Sequence, residues 1–524
     1  MIEATTKKRR WLGWVITLVV IVAVEAVLHS PWPRGTIRIS PQTTVVDGPL
    51  NEDGTVNYVA ALDAAWAKGV TRENNAVIPL LEIFGPQVLP EAVRGPVLAK
   101  LGVTLDPHKA YYIAWEDWFA IRQPASDKAQ TQPAEDDTTD KTWELFDNSM
   151  DRLRAGQDAP ELRQWVKANG AFLDLIVAAT RRPRYYVPMV STASPPQVIE
   201  VTGPNLRMYR EAGRALMARV ELEIRGGQTK AAWQDVLAIH RLARLIGQGL
   251  TLLEKMIGMA LEDDAVQAGA RVADSGRCTA AEARSMLADL AQFPPVDGVL
   301  DSIDRAERFM WLDSIMVFYR GGFFGKARVA SPRTGALDWD EMLLVGNRFY
   351  DRIVAAGRIA DFTRREQALQ AISQSAEDAV MGTRGVAAMA LKYLLPVIGG
   401  RAAKTVVSHR LASVLTYLLT PSLAKVFEFQ DAAQLRMELE KVSLALAAYR
   451  AEHGRWPDKL TELAPAYLPE IPADRLSGSP LVYRPSGKGY RLYSVGVNKR
   501  DDGGVYRHSE SPSENKDDIS VEAK

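Results

Sequence analysis

From Lys141 to about Gln430 the apolar residues recur at spacings of three and four, and this pattern limits the chain more than any other feature. That spacing lines one face of a helix; one face of a sheet needs a period of two. It predicts a mainly α fold, with fewer than about a tenth of this stretch in strands. Breaks at Gly226-Gly227, Gly247-Gln248-Gly249 and Ser275-Gly276 divide it into helices, each of about 12–22 residues. Between Asn205 and Leu290 these read as antiparallel helix pairs with short turns, as in α-solenoids. Glu211 to Ile246 has the alternation of small and large residues found in a tetratricopeptide-like hairpin. The breaks are unevenly spaced, which favours an irregular helical bundle or α-hairpin body over a regular array. Two strongly apolar segments, Val386–Ile398 and Leu411–Leu419, are too short to cross a bilayer and read as core helices.

The N-terminus carries a different pattern. Lys7, Lys8, Arg9 and Arg10 precede an apolar run of 18 residues, Trp11 to Leu28. At about 1.5 Å per residue that run reaches roughly 27 Å, enough to cross a hydrocarbon core of about 30 Å. Basic residues before the run keep the N-terminus cytoplasmic. The expected location is therefore the inner (cytoplasmic) membrane, single-pass, with the bulk of the chain extracytoplasmic. Trp11, Trp14 and Trp32 suit the interfacial belts. A cleavable signal peptide is the rival reading, because Val24-Glu25-Ala26 offers a small residue at a cut site. The run is longer than the usual signal core of about 7–15 residues, which favours a retained signal-anchor.

Composition excludes several classes. The 64 Lys+Arg balance 64 Asp+Glu, without the basic excess of a dedicated nucleic-acid binder. A single cysteine, Cys278, rules out an intrachain disulfide and any site built from several cysteines. With 47% apolar and 24% charged residues, the chain has the make-up of a globular protein.

Along the chain, residues 1–30 read as a cytoplasmic tail and anchor, and 31–122 as an extended and then helical region. In the second stretch, Thr36–Ile39 and Thr43–Val46 suggest extended chain or a small ribbon. Tyr58 to Lys68 reads as a helix closed by Gly69, and Thr71 as the cap of a helix ending at Gly85-Pro86. Residues 123–140 are polar and acidic and read as a linker. The helical body is placed at 141–410, and a small α+β module with an acidic tail at 411–524. In that module Leu481–Arg484 and Tyr490–Val495, separated by Pro485 to Gly489, predict a β-hairpin.

Catalytic motifs are missing: there is no His-Glu-x-x-His, no phosphate-binding glycine loop and no Gly-x-Ser-x-Gly. His240 shares a helix face with Trp233, Val236 and Ala243, which points to a core or interface histidine. Asp304, Glu307 and Asp313 are spaced to share a face, but Arg305 and Arg308 lie among them, so a solvated ion-pair face is expected. Thr180 to Pro188 interleaves arginines with tyrosines and reads as a structural loop, with contact to a partner or an envelope glycan as the alternative. Arg320 to Gly325 could form an aromatic tip.

Near the chain end, Leu418–Leu423 leads into a polar helix running to Tyr449-Arg450-Ala451-Glu452-His453-Gly454-Arg455-Trp456-Pro457. Leu460–Leu463, Pro469–Pro472, Leu481–Tyr483, Tyr493-Ser494-Val495-Gly496 and Asp517-Asp518-Ile519 come next. In these pieces and their order the last hundred residues resemble the globular part of the type II secretion major pseudopilin. The resemblance implies a C-terminal acidic loop that binds calcium. It departs from the family at the N-terminus, where the leader and its Phe and Glu are missing, so assembly as a filament subunit is not expected. The whole chain also resembles large bacterial membrane-anchored envelope proteins through Asp53–Leu62 and Gly69–Ala76, a likeness that implies no activity.

The expected function is a membrane-anchored extracytoplasmic scaffold or interaction protein with a protein partner and no nucleic acid, possessing a link to secretion or envelope organisation. An extracytoplasmic hydrolase, its site assembled only in the fold, is the alternative. For a metal, Asp502, Asp517 and Asp518 are the expected ligands, with Asp501 facing solvent. Calcium takes six to eight oxygens from carboxylates and backbone carbonyls in a flexible loop. Asn498–Gly504 and Lys516–Ile519 could supply them if the segment between folds back; otherwise the region is a solvated acidic tail.

Overall fold

The computed structural model describes residues 35–122, 135–201, 203–296, 298–321, 337–381, 400–419, 423–487, 489–507 and 516–523. The expected anchor Trp11–Leu28, the apolar segment Val386–Ile398 and the tip beyond Gly321 lie outside these residues. Among the described residues, no helix is long and apolar enough to cross a membrane.

Helices dominate, as the spacing predicts. Seven come first: α1 (Tyr58–Ala67), α2 (Val77–Phe84), α3 (Glu91–Leu101), α4 (Trp115–Arg122), α5 (Glu135–Arg154), α6 (Pro160–Ala168) and α7 (Gly170–Ala179). Next are α8 (Leu206–Arg225), α9 (Thr229–Ile246), α10 (Leu252–Asp274) and α11 (Ala280–Leu290). A π-turn at Ile303–Glu307 leads into α12 (Arg308–Tyr319), followed by α13 (Trp339–Gly357), α14 (Phe362–Met381), α15 (Gly400–Leu419) and α16 (Leu423–His453). Between Lys141 and Gln430 the described residues contain no strand longer than an isolated bridge.

Local chemistry explains most boundaries. Asn57 caps α1 by accepting from the Ala60 amide. Thr251 with Glu254, and Thr279 with Glu282, form capping boxes that start α10 and α11. Thr71 does not cap α2 directly: it pairs with Asn74 in a turn, and the helix begins at Val77. Gly85 ends α2 at φ 82°, where a Cβ would lie 2.6 Å from the Tyr111 ring. Of the expected acidic linker 123–140, Glu135 to Asp140 belong to α5, and 123–134 lie outside the described residues. Near the N-terminus, Thr43–Val46 forms turns and no ribbon, with one bridge at Leu50–Val56.

The chain divides into two compact units, each drawn from three stretches of sequence. One unit comprises residues 1–68, 189–202 and 300–425. In it α12 packs on α1 and α13, and α13, α14 and α15 pack on one another. Trp311 lies over Gly346, where a Cβ would stand 2.2 Å from the ring. The other unit comprises residues 69–188, 203–299 and 426–524. Its centre is α8, α9 and α10, each packed on the other two, which is a bundle and not a linear array. The expected body at 141–410 thus contributes to both units.

The C-terminal hairpin forms where expected, as β1 (Val482–Pro485) against β2 (Tyr490–Ser494). Three further strands follow in the stretch expected to be an acidic tail: β3 (Tyr506–Arg507) paired with β4 (Lys516–Asp517), and β5 (Ile519–Ala523) antiparallel to β2.

Candidate functional site

The acidic residues at the chain end meet because β5 returns to β2. Ser494 pairs with Ile519, so Asp518 sits at the entrance to β5, beside the chain leaving β2. That chain turns at Gly496, φ 65°, where a Cβ would lie 2.7 Å from the Asp517 carboxyl carbon; only glycine permits the approach. The loop continues through Lys499 at φ 58° and through Gly503 and Gly504 at φ 79° and 78°.

Backbone and side-chain donors then fix the carboxylates. The Asn498 amide donates to Asp517 Oδ2 at 2.9 Å, and the Gly504 amide to Asp518 Oδ2 at 2.7 Å. Asn498 Nδ2 donates to Asp502 Oδ2 at 3.0 Å. One oxygen from each of Asp502, Asp517 and Asp518 lies within 4.8 Å of the other two. Asp501 faces outward, accepting from the Tyr493 hydroxyl at 2.9 Å and from Arg484 at 2.5 Å. The Tyr493 hydrogen bond, with the Gly503 amide and Arg484, holds the Asp501 acid below its usual range.

Asp518 behaves differently. It is buried, and burial together with the charges of Asp502 and Asp501 raises its acid, against the opposing Gly504 amide. Asp517 Oδ1 and Asp518 Oδ1 are both buried and accept no hydrogen bond from the described residues. Beside the Asp502 carboxylate, these two oxygens gather three acidic groups in one place. A hard divalent cation fits that donor set, with loop carbonyls and water to complete six to eight oxygens.

The module behind the loop is rigidly tied. Trp456 packs edge-on to Tyr490 at 4.9 Å with the Arg450 guanidinium 4.8 Å above its ring. Tyr490 bonds Ser443 at 2.6 Å and Asp274 at 3.0 Å. Buried Asp474 accepts from the Ser477 and Ser494 hydroxyls at 2.6 and 2.8 Å.

The other sequence candidates resolve as structure. His240 is fully buried, 3.0 Å from Glu262 and 3.2 Å from Glu440, with Arg244 also on Glu262. Burial alone would depress the imidazole, but the two glutamates override it and push it up to about 9. The solvated face expected at Asp304, Glu307 and Asp313 is only partly present. Arg305 pairs with Asp301 in the open, yet Glu307, Arg308 and Asp313 are buried, and the Val198 amide donates to Asp313 at 2.7 Å. Helical spacing shows which residues share a face, but not that Val198 covers it. The loop Thr180–Pro188 is tied into its unit: Arg182 donates to the Arg72 and Asn75 carbonyls, and Tyr185 is buried.

Compared with protein-family models, curated proteins and solved structures, the chain finds no match in any of the three.

Proposed function

We propose that the chain is a membrane-anchored, extracytoplasmic scaffold or interaction protein whose C-terminal module is closed by a calcium ion. The observation that carries this reading is the convergence of Asp502, Asp517 and Asp518, with two of their oxygens buried and unmatched among the described residues. Asp517 and Asp518 lie where β4 passes into β5, and Asp502 lies in the loop after β2, so one ion would join the last strand to the hairpin. The pseudopilin resemblance supports the same ion, and the basic-then-apolar N-terminus supports the anchor.

Hydrogen exchange on the full chain tests the clamp. With calcium, the amides of Asn498, Gly504 and β5 should exchange more slowly than with chelator, and the Asp517→Asn with Asp518→Asn double variant should lose the difference. Equal exchange with calcium and with chelator in the wild type would overturn it.

A further inference from the structure

In the unit built around α12 and α13, a cleft of about 730 Å³ opens beside the segment Pro41–Val46. That volume falls in the range of about 300–1,000 Å³ typical of small-molecule sites. Val45, Leu62, Phe309 and Leu344 line it with apolar surface, and Arg308 and Asn347 are among its polar residues.

Three features separate it from a packing gap. First, its wall is built by hydrogen bonds: Asn347 Nδ2 donates to the Gln42 and Thr43 carbonyls at 2.8 and 2.9 Å. Second, Val45 sits at φ 65°, at the centre of a γ-turn in which the Val46 amide donates to the Thr44 carbonyl at 2.7 Å. A β-branched residue in that region is strained, and such strain concentrates at functional sites. Third, Arg308 and Asn347 are each 6% exposed, yet Arg308 Nε and Asn347 Oδ1 are buried without partners among the described residues. The other nitrogens of Arg308 are taken by Asp304 at 2.6 Å and Asp351 at 2.8 Å.

Charge selects the ligand. Three arginines, Arg305, Arg308 and Arg348, line the cleft against two aspartates, Asp304 and Asp351. Arg305 and Arg348 are more than half exposed and pair with Asp301 and Glu341. The Arg305–Asp301 pair is open on both sides, and such pairs are weak. Glu341, 15% exposed, also lies 2.7 Å from His409 and keeps that partner when Arg348 turns to an incoming anion. The geometry points to a binding site for a small amphipathic carboxylate, its head among the arginines and its apolar body against Val45, Leu62, Phe309 and Leu344. The site is independent of the acidic cluster at the chain end.

Photolabelling of the full chain with a diazirine-bearing decanoate tests it. Label should saturate and map to peptides containing residues 41–65 or 304–351, and unlabelled decanoate should compete while decylamine should not. Ala65→Trp, which places an indole in the cleft from an exposed position, should cut labelling at least tenfold. Arg348→Gln, a surface change that spares the core, should cut it several-fold. Labelling that does not saturate, that maps elsewhere, that decylamine suppresses equally, or that survives the Arg348→Gln change would overturn the site.

Discussion

His240 is held in a charge network whose members come from three helices: His240 and Arg244 on α9, Glu262 on α10 and Glu440 on α16. Two cations and two carboxylates balance, which is how so much charge is tolerated in a buried place. Because the folded imidazole is raised to about 9 from an ordinary 6.5, its proton stabilises the fold fully below pH 6.5, and that contribution fades as pH rises through 9. Chemical denaturation between pH 6 and 9.5 should show this decline, and His240→Gln should flatten it. Removing the histidine should also cost about 3–5 kcal/mol at pH 7, since two carboxylates lose their shared partner. A variant as stable as wild type with the same pH profile would contradict the network. Sequence spacing places His240 on a core face through Trp233, Val236 and Ala243. Glu440 lies 200 positions away, so no local pattern links the two.

At the scale of elements, close approach decides the packing. The Cβ that Gly346→Ala adds to α13 would collide with the Trp311 ring on α12, and overpacking of this kind costs about 1–3 kcal/mol by denaturant melts. No loss of stability would show that the two helices can separate freely. Tyr490 ties β2 to α16 and α10 through Ser443 and Asp274, so Tyr490→Phe should cost about 1–3 kcal/mol by leaving both buried partners unmatched. An unchanged melt would show that water replaces the hydroxyl. The helices and the hairpin were readable because their apolar periods are unbroken. The β5 strand was harder: Ile519-Ser520-Val521 alternates correctly, but it follows a polar stretch and is short. Glu135–Asp140 failed for the opposite reason, since a polar helix start carries no apolar period.

For the whole molecule, each unit collects three separated stretches of chain, an arrangement that no local composition change marks. The acidic cluster was legible in outline, because Asp502, Asp517 and Asp518 are the side chains the sequence singles out and the fold brings together. Their convergence depends on the pairing of β5 with β2, and the buried oxygens of Asp517 and Asp518 emerge only from the folded chain. The proposed anchor predicts that the protein stays in membranes through a carbonate wash and is cut by protease added to spheroplasts; release by carbonate, or protection from the protease, would contradict it. The central claim is the calcium clamp, and calorimetric titration of the full chain with calcium measures it most directly. One ion per chain should bind with measurable heat by millimolar calcium, and Asp517→Ala with Asp518→Ala should abolish it. No heat at millimolar ion, or binding unchanged in the double variant, would contradict the account.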